Sequence, residues 1–130
     1  MSSMKPLLKV MREKMSICRM PADSLVPMSV FESDFFSITR TSDELSIVCG
    51  DVYIPADVKR ESDFRVIKVD AKLDFSLVGI IAGISAILAE KEISIFVVST
   101  YDTDYILVRA SALDAAVNAL THAGHDVKRA

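Results

Sequence analysis

Two short segments of the sequence place polar side chains and backbone groups where they could hold a small charged molecule. The first, residues 74–80, is typical of a corner where a strand ends and a helix begins, so its backbone N–H groups point outward and can bind a carboxylate. The second, residues 99–104, is a polar turn between two β-rich runs, where Asp102 or Asp104 can hold an ammonium group. The candidate ligand-binding residues are Asp74, Phe75, Ser76, Leu77, Val78, Gly79, Ile80, Ser99, Thr100, Tyr101, Asp102, Thr103 and Asp104.

Several of these residues also have an ordinary structural explanation. Asp74 could cap the helix, and Asp102 and Asp104 could be turn residues. Phe75 and Tyr101 could line a pocket or be half-buried core aromatics, and for Phe75 we favour the core. Both explanations stay open at this point.

The sequence has no obvious catalytic or metal-binding pattern. Its Ser, Cys and His residues show no triad-like arrangement, and no glycine-rich phosphate loop is present. His122 and His125 flank Gly124 near a helix end, but further metal ligands are not evident nearby. We therefore expect a non-catalytic protein with no cofactor and no metal site.

Composition narrows the classes of partner. The net charge of −3 and the absence of a Lys/Arg cluster argue against a nucleic-acid partner. The longest apolar stretch, residues 77–89, is shorter than the ~20 residues that span a bilayer, so we expect no membrane insertion. Cys18 and Cys49 lie in apolar, strand-like contexts, which favours reduced core thiols over a disulfide. A cytoplasmic location fits this pattern best.

The two halves of the chain resemble each other. A shift of sixty residues places 35–48 over 95–108 without a gap, and both stretches are typical of a hairpin with a polar turn. Few residues are identical, so a chance pairing of two ordinary hairpins is the alternative. In the first hairpin Arg40 and Glu44 occupy the turn, as a surface ion pair or as a vestigial site.

A helix is predicted after the 74–80 corner. Apolar residues recur between Leu77 and Leu88 with the spacing of one helix face, and Ser76 or Asp74 is the expected N-cap. The opposite face carries small residues, which fit either an Ala-rich surface or close packing against the other repeat or a second chain. These small residues are Gly79, Ala82, Gly83 and Ala86.

The rest of the second half completes a recognisable order of elements. Ser111 to Asp114 resembles a capping box for a second helix, which Gly124 would close as a left-handed residue. A final strand at 125–127 then gives strand, helix, strand, strand, helix, strand, the order of a ferredoxin-like layer. The first half offers the same order in shortened form, with a poor helix at 22–30 and a helix stub at 55–58.

These segments together resemble the ACT-domain superfamily, in particular the regulatory modules of aspartate kinases and of the cytosolic arginine sensors. The resemblance is carried by residues 74–80 and 93–108, with 36–41 and 44–49 in the first half. It implies an α+β fold of two tandem ferredoxin-like (βαββαβ) ACT-like units, with antiparallel sheets and helices on one face. We place an N-terminal segment at 1–14, a degenerate ACT-like unit at 15–62 and an ACT-like unit at 63–130.

The resemblance also implies a function. ACT-like units bind a small ligand, usually an amino acid, between the strand-to-helix corner of one unit and the hairpin of another. Two units in this chain, against four in the arginine sensors, imply a homodimer. The expected protein is therefore a cytoplasmic, non-catalytic regulator that binds an amino acid at an interface. The alternative is a protein-interaction adaptor that has lost its ligand.

Overall fold

The computed structural model of the chain describes residues 5–70 and 79–130 and has an α+β fold with a mixed sheet. The chain forms two compact units. Residues 13–64 make one, which we call the insert unit, and the other described residues make the second, which we call the discontinuous unit. The elements in chain order are β1 (Leu8–Val10), β2 (Met15–Met20), β3 (Ser37–Arg40), β4 (Leu45–Gly50), β5 (Lys59–Val69), α1 (Ile80–Glu90), β6 (Phe96–Ser99), β7 (Asp104–Arg109), α2 (Leu113–His122) and β8 (Val127–Arg129).

In the discontinuous unit the strand order is β6-β7-β5-β1-β8. Both helices contribute to one apolar core with the strands, because Ile84 and Leu88 of α1 and Leu120 of α2 are fully buried in the same cluster as Leu8 and Ile106. These strand residues share a face of the sheet, so α1 and α2 cover the same side. The helix periodicity in the sequence therefore marks the core.

The sheet of this unit is not wholly antiparallel, so that prediction is wrong for one strand pair. Leu8 pairs antiparallel with Val69 of β5 and parallel with Val127 of β8. The physical reason is that β1, from the stretch 1–14 that the sequence assigned to no unit, occupies the place beside β5. The final strand meets β1 instead, and runs in the same direction.

The first helix begins later than the sequence predicts. Gly79 is the N-cap of α1, with a φ of 87° and no capping side chain, so the prediction of Ser76 or Asp74 at this position is wrong. A φ of this size lies in the left-handed region, which glycine adopts without a steric penalty. The Gly79 carbonyl then accepts the first helical hydrogen bond from the Gly83 N–H at 2.8 Å.

The predicted capping box of the second helix is also wrong. Ser111 lies inside a 3₁₀ turn at Ala110–Ala112, and α2 starts without a side-chain cap. The Asp114 carboxylate does not complete a capping box, and its Oδ1 instead accepts a hydrogen bond from Arg129 Nη1 at 2.9 Å.

The end of α2 follows the prediction for Gly124, which has a φ of 103°. Its N–H donates to Thr121 O and the His125 N–H donates to Leu120 O, both at 3.0 Å. This pair of bonds is a Schellman motif, in which a left-handed residue satisfies the last helical carbonyls. The prediction of a left-handed closing residue is confirmed.

The insert unit has strands but no α-helix. Its strands pair antiparallel in the order β3-β4-β2-β5. The predicted helix at 22–30 is wrong, since a 3₁₀ turn at Met28–Glu32 stands there, and the predicted stub at 55–58 is a turn. Pro27 lies inside the predicted helix at 22–30 and has no N–H to donate to the carbonyl four residues earlier.

Both cysteines of the insert unit are free and buried, as the sequence predicted. Cys18 lies opposite Ile47 and Cys49 lies opposite Ser16, so the two thiols occupy diagonal positions on neighbouring strands. Burial raises the pKa of Cys18 from 9.0 to about 11 and, with a smaller contribution from Cys18, that of Cys49 to about 12. These are inert core thiols at neutral pH.

Candidate functional site

The polar turn between β6 and β7 is a closed hydrogen-bonded structure. The Thr100 N–H donates to Thr103 O at 2.8 Å, and the Thr103 N–H donates to Thr100 Oγ1 at 3.2 Å. Just outside the turn, Ser99 Oγ donates to Asp104 Oδ1 at 2.5 Å. Four of the predicted site residues therefore hold the turn in one conformation.

A buried threonine fixes this turn to the end of β5. Thr103 is only 4% exposed, and its Oγ1 donates to the Val69 carbonyl at 2.6 Å. Asp70 follows, with its N–H donating to Leu7 O at 2.8 Å. The turn thus lies beside the point where the chain leaves β5 towards the predicted corner.

The predicted corner falls largely outside the described residues: Asp74, Phe75, Ser76, Leu77 and Val78 lie there. Gly79 and Ile80 are described. Gly79 is exposed at the N-terminus of α1, whereas Ile80 is partly buried and packs against the apolar core. The structure therefore gives Ile80 a packing role and leaves the N–H groups of the corner as a prediction.

Tyr101 and Asp102 form the outward-facing tip of the turn. Tyr101 is 82% exposed, and Asp102 is exposed as well. Asp104 is partly buried, and one of its carboxylate oxygens already accepts the Ser99 hydroxyl. Of the two aspartates that the sequence offers as cation binders, Asp102 is thus the better placed to meet a solute.

The insert unit repeats this turn with the same hydrogen bonds. The Thr41 N–H donates to Glu44 O at 2.9 Å, and the Glu44 N–H donates to Thr41 Oγ1 at 3.2 Å. Arg40 pairs with Leu45, as Ser99 pairs with Asp104, so equivalent residues of the two hairpins lie 59 positions apart.

The sixty-residue shift read from the sequence is therefore wrong by one position. The corrected register aligns identical residues that the sequence comparison missed: Thr41 with Thr100, Asp43 with Asp102, and Ile47 with Ile106. The sequence signal for this register is the threonine at the start of each turn. Its hydroxyl and its N–H make the hydrogen bonds that close the turn in both units.

The predicted ion pair between Arg40 and Glu44 is also wrong. Arg40 donates from Nη1 to Ala22 O and from Nη2 to Ser24 O, the latter at 2.7 Å. Glu44 instead has Arg19 as its partner, with 3.9 Å between Oε1 and Nε. Arg40 thereby binds the segment that follows β2.

The discontinuous unit has a shorter side chain at the matching position. Ser99 is the equivalent of Arg40, and its hydroxyl reaches only to Asp104 on the neighbouring strand. An arginine side chain is several bonds longer than a serine. Ser99 therefore cannot make the two long-range contacts that Arg40 makes in the insert unit.

A second polar cluster, which the sequence did not reveal, lies within the insert unit. Asp51 Oδ1 accepts hydrogen bonds from Ser16 Oγ and, at 3.3 Å, from Ser62 Oγ, and Arg60 Nη1 lies 3.8 Å away. Ser16 is fully buried. Because each group has an internal partner, the cluster stabilises the unit and offers no evident place for a ligand.

The small-residue face of α1 borders an open groove next to α2. Gly83 is exposed, and a Cβ placed on it would meet no atom within 4 Å. Among the described residues, nothing therefore packs on Gly83. The groove has a volume of about 650 Å³ and is lined by Ala86, Ile87, Glu90, Lys91, Ala115, Asn118, Ala119, His122 and Ala123.

None of the helices within residues 5–70 and 79–130 is long and apolar enough to cross a membrane. Within the same ranges, no group of three or more His, Cys, Asp or Glu side chains is arranged to hold a metal ion.

Comparisons with known proteins identify the family and the fold. A family model described as an ACT domain matches residues 59–122, and a second model, described as an N-terminal domain, matches residues 13–57. The crystal structure of a protein from Agobacterium tumefaciens is similar with a TM-score of 0.92 and 35% identity, over 98% of this chain and 96% of that one. No curated protein sequence matches this chain.

More distant likenesses concern the fold alone. A Vibrio cholerae protein of unknown function, described as a possible transport protein, has a TM-score of 0.71 and 20% identity, over 89% of this chain and 88% of that one. The regulatory subunit of aspartate kinase from Thermus thermophilus has a TM-score of 0.58 and 13% identity, over 87% of this chain and 94% of that one.

Proposed function

Because residues 59–122 match the model of the ACT-domain family, we propose that the chain is a non-catalytic regulatory protein that binds an amino acid or a similar small molecule. The observation that carries this proposal is the bond from Thr103 Oγ1 to Val69 O, which holds the polar turn beside the start of the corner. The fold shared with the regulatory subunit of an aspartate kinase supports a regulatory role.

We propose that both units are ferredoxin-like and arranged in tandem, with boundaries near 15–62 and 63–130, except that β1 from the first fourteen residues joins the second unit. The order β3-β4-β2-β5 in the insert unit is the strand order of that fold, with 3₁₀ turns in place of helices. The order β6-β7-β5-β8 would be the same in the discontinuous unit, apart from β1 between the last two strands. The matching turns, 59 residues apart, support this duplication.

In the proposed complex, a zwitterionic amino acid bridges two groups of opposite polarity. Its carboxylate meets the backbone N–H groups of Ser76, Leu77, Val78 and Gly79, where the positive end of a helix favours an anion. Its ammonium group meets Asp102, which is exposed at the tip of the turn. The remaining wall comes from another chain, so the protein acts as a homodimer.

The insert unit does not bind the ligand in this proposal. Arg40 already occupies the carbonyls of Ala22 and Ser24 beyond β2, which is the place that corresponds to the corner. Binding therefore depends on the discontinuous unit. We place the protein in the cytoplasm, in keeping with two free thiols buried in the insert unit.

A thermal-shift panel of the twenty amino acids tests the proposal. A ligand at 100 times its Kd adds about 2.7 kcal/mol to the free energy of unfolding, which raises the melting temperature by several degrees. Asp102→Asn should abolish the shift, whereas Asp43→Asn, the matched change in the insert unit, should leave it intact. No shift with any amino acid, or equal losses in both variants, contradicts the proposal.

The homodimer is tested separately by sedimentation velocity with and without the amino acid that gives the largest shift. Because each ligand bridges two chains, binding should favour the dimer. A monomer under both conditions contradicts the interface.

The alternative function, an adaptor that has lost its ligand, is favoured by two features of α1: the exposed Gly83, and the open groove that Ala86 and Ile87 line. It predicts that Gly83→Leu breaks a protein complex, while Asp102→Asn has no measurable effect.

A further inference from the structure

The insert unit presents a continuous row of large apolar side chains to solvent, which we call the apolar ridge. It consists of Met28, Phe31 and Phe36, which are 79%, 49% and 40% exposed. Met28 and Phe31 lie three residues apart in a 3₁₀ turn, so they stand above one another on the same edge. The ring of Phe36 packs edge-on against Phe31, with 5.4 Å between the ring centroids.

The ridge is held rigidly from beneath. Val30, between Met28 and Phe31, is fully buried in the core of the insert unit. Ser29 Oγ donates to Tyr53 O at 2.6 Å, and Ser33 Oγ accepts from the Gly50 N–H at 2.9 Å. The apolar side chains are therefore exposed on an anchored segment, which lowers the entropic cost of binding.

The charge around the ridge is negative. Glu32 and Asp34, which follow Phe31, are both exposed, and the sequence has no Lys, Arg or His between Met20 and Thr39. Arg40 reaches this segment from β3, but its guanidinium donates to the carbonyls of Ala22 and Ser24.

The negative charge of Glu32 and Asp34 favours some binding partners of the ridge over others. Anionic membranes and nucleic acids would be repelled. A second copy related by a two-fold axis would bring Glu32 and Asp34 towards the same acids of its partner, since such an interface pairs a surface with itself. A cationic protein surface with apolar side chains fits both properties.

We propose that the apolar ridge binds a cationic amphipathic segment of another protein. Two or three apolar side chains of that segment cover Met28, Phe31 and Phe36, while its Lys or Arg residues face Glu32 and Asp34. Leu25, three residues before Met28 in the sequence, is 88% exposed as well. Nothing in this interaction depends on the proposed amino-acid site, because all of these residues belong to the insert unit.

Fluorescence anisotropy of the full chain with a labelled leucine–lysine amphipathic helical peptide tests this inference. The peptide should bind, its Kd should rise with added salt, and a leucine–glutamate peptide of the same pattern should not bind. Phe31→Ser should weaken binding by about tenfold, the loss expected for one aromatic anchor. Glu32→Lys should weaken it several-fold.

Two matched variants in the other unit serve as controls. Phe96→Ser removes a ring of 36% exposure, and Glu90→Lys makes the same charge reversal at an exposed position. Both should bind the peptide like the unmodified protein. Met28→Ser provides a second ridge variant if Phe31→Ser does not fold, as judged by circular dichroism.

Several results would overturn the inference. The first is that the leucine–lysine peptide does not bind. The second is that the leucine–glutamate peptide binds equally well. The third is that the control variants Phe96→Ser and Glu90→Lys lose as much peptide affinity as the ridge variants do. Binding of the protein to phosphatidylglycerol vesicles that Phe31→Ser abolishes would assign the ridge to a membrane. A change of oligomeric state caused by Phe31→Ser would assign it to self-association.

Discussion

Replacing Thr103 with valine removes one hydroxyl from a buried position and keeps the shape of the side chain. That hydroxyl is the donor that fixes the β6–β7 turn to the Val69 carbonyl at 2.6 Å. The variant therefore tests the contact on which the proposed ligand site depends. Because Thr103 is only 4% exposed, water cannot easily replace the lost donor.

The expected cost follows from this burial. Losing the hydrogen bond and leaving the Val69 carbonyl without this donor should lower the free energy of unfolding by about 1–3 kcal/mol. A chain of this length loses about 4 °C in melting temperature per kcal/mol, so a fall of roughly 4–12 °C is expected. The amino acid that stabilises the unmodified protein should also stabilise Thr103→Val less, because the turn is no longer held beside the corner.

Urea unfolding followed by circular dichroism measures the first effect, and the thermal-shift response to the amino acid measures the second. Thr103→Ser is the matched control, since it keeps the hydroxyl and loses only a methyl group. A Thr103→Val variant within 0.5 kcal/mol of the unmodified protein, the usual range for surface changes, would refute the reasoning. So would an equal loss in Thr103→Ser.

Four further predictions concern stability and reactivity. Gly83→Ala should raise the free energy of unfolding by about 0.5–1 kcal/mol in urea, because alanine favours a helix interior and its Cβ meets open space; a loss would mean that the face is covered. Gly124→Ala should lower it by about 1 kcal/mol, because the φ of 103° strains any residue with a Cβ; no change would contradict the Schellman ending. Cys18 and Cys49 should react with iodoacetamide at pH 8 only after unfolding, and rapid labelling of the native chain would contradict their burial. Folding raises the pKa of Cys18 and Cys49 from 9.0 to about 11 and 12. The stability that the two neutral thiols contribute is therefore complete below pH 9 and is lost as the pH rises towards these values. Urea unfolding at pH 8 and at pH 10 measures this loss.

Local patterns in the sequence predict the elements that local forces determine. The apolar spacing between Leu77 and Leu88 predicts a buried helix face, and Ile84 and Leu88 are indeed fully buried in α1. Gly124 predicts a left-handed ending because few residues other than glycine tolerate that conformation. Both signals depend on residues close together in the chain.

The same local patterns do not predict contacts between residues that are distant in the sequence. Nothing near Leu8 indicates that it pairs with both Val69 and Val127, since a three-residue strand has no periodicity to detect. The bond from Thr103 to Val69 is likewise set by tertiary structure, because a turn threonine could equally face water.

The alignment of the two hairpins could not be predicted from the sequence for another reason. A gapless shift of sixty matches apolar residues, while the true shift of 59 is fixed by the threonine hydrogen bonds of Thr41 and Thr100. Apolar residues are interchangeable in such an alignment, whereas one residue of slip moves a turn threonine out of its hydrogen bonds. Turn chemistry therefore sets the register more reliably than hydrophobic similarity.

The position of β1 bears on how the protein is made. A ribosome adds Leu8–Val10 long before Val127–Arg129, yet these strands lie side by side. At ~5–20 residues per second, roughly 6–24 s separate the synthesis of the two partners. The insert unit can complete its own strand pairs during that interval, whereas β1 has only β5 as a partner until β8 is made, so the sheet of the discontinuous unit is completed only after β8 has been synthesised.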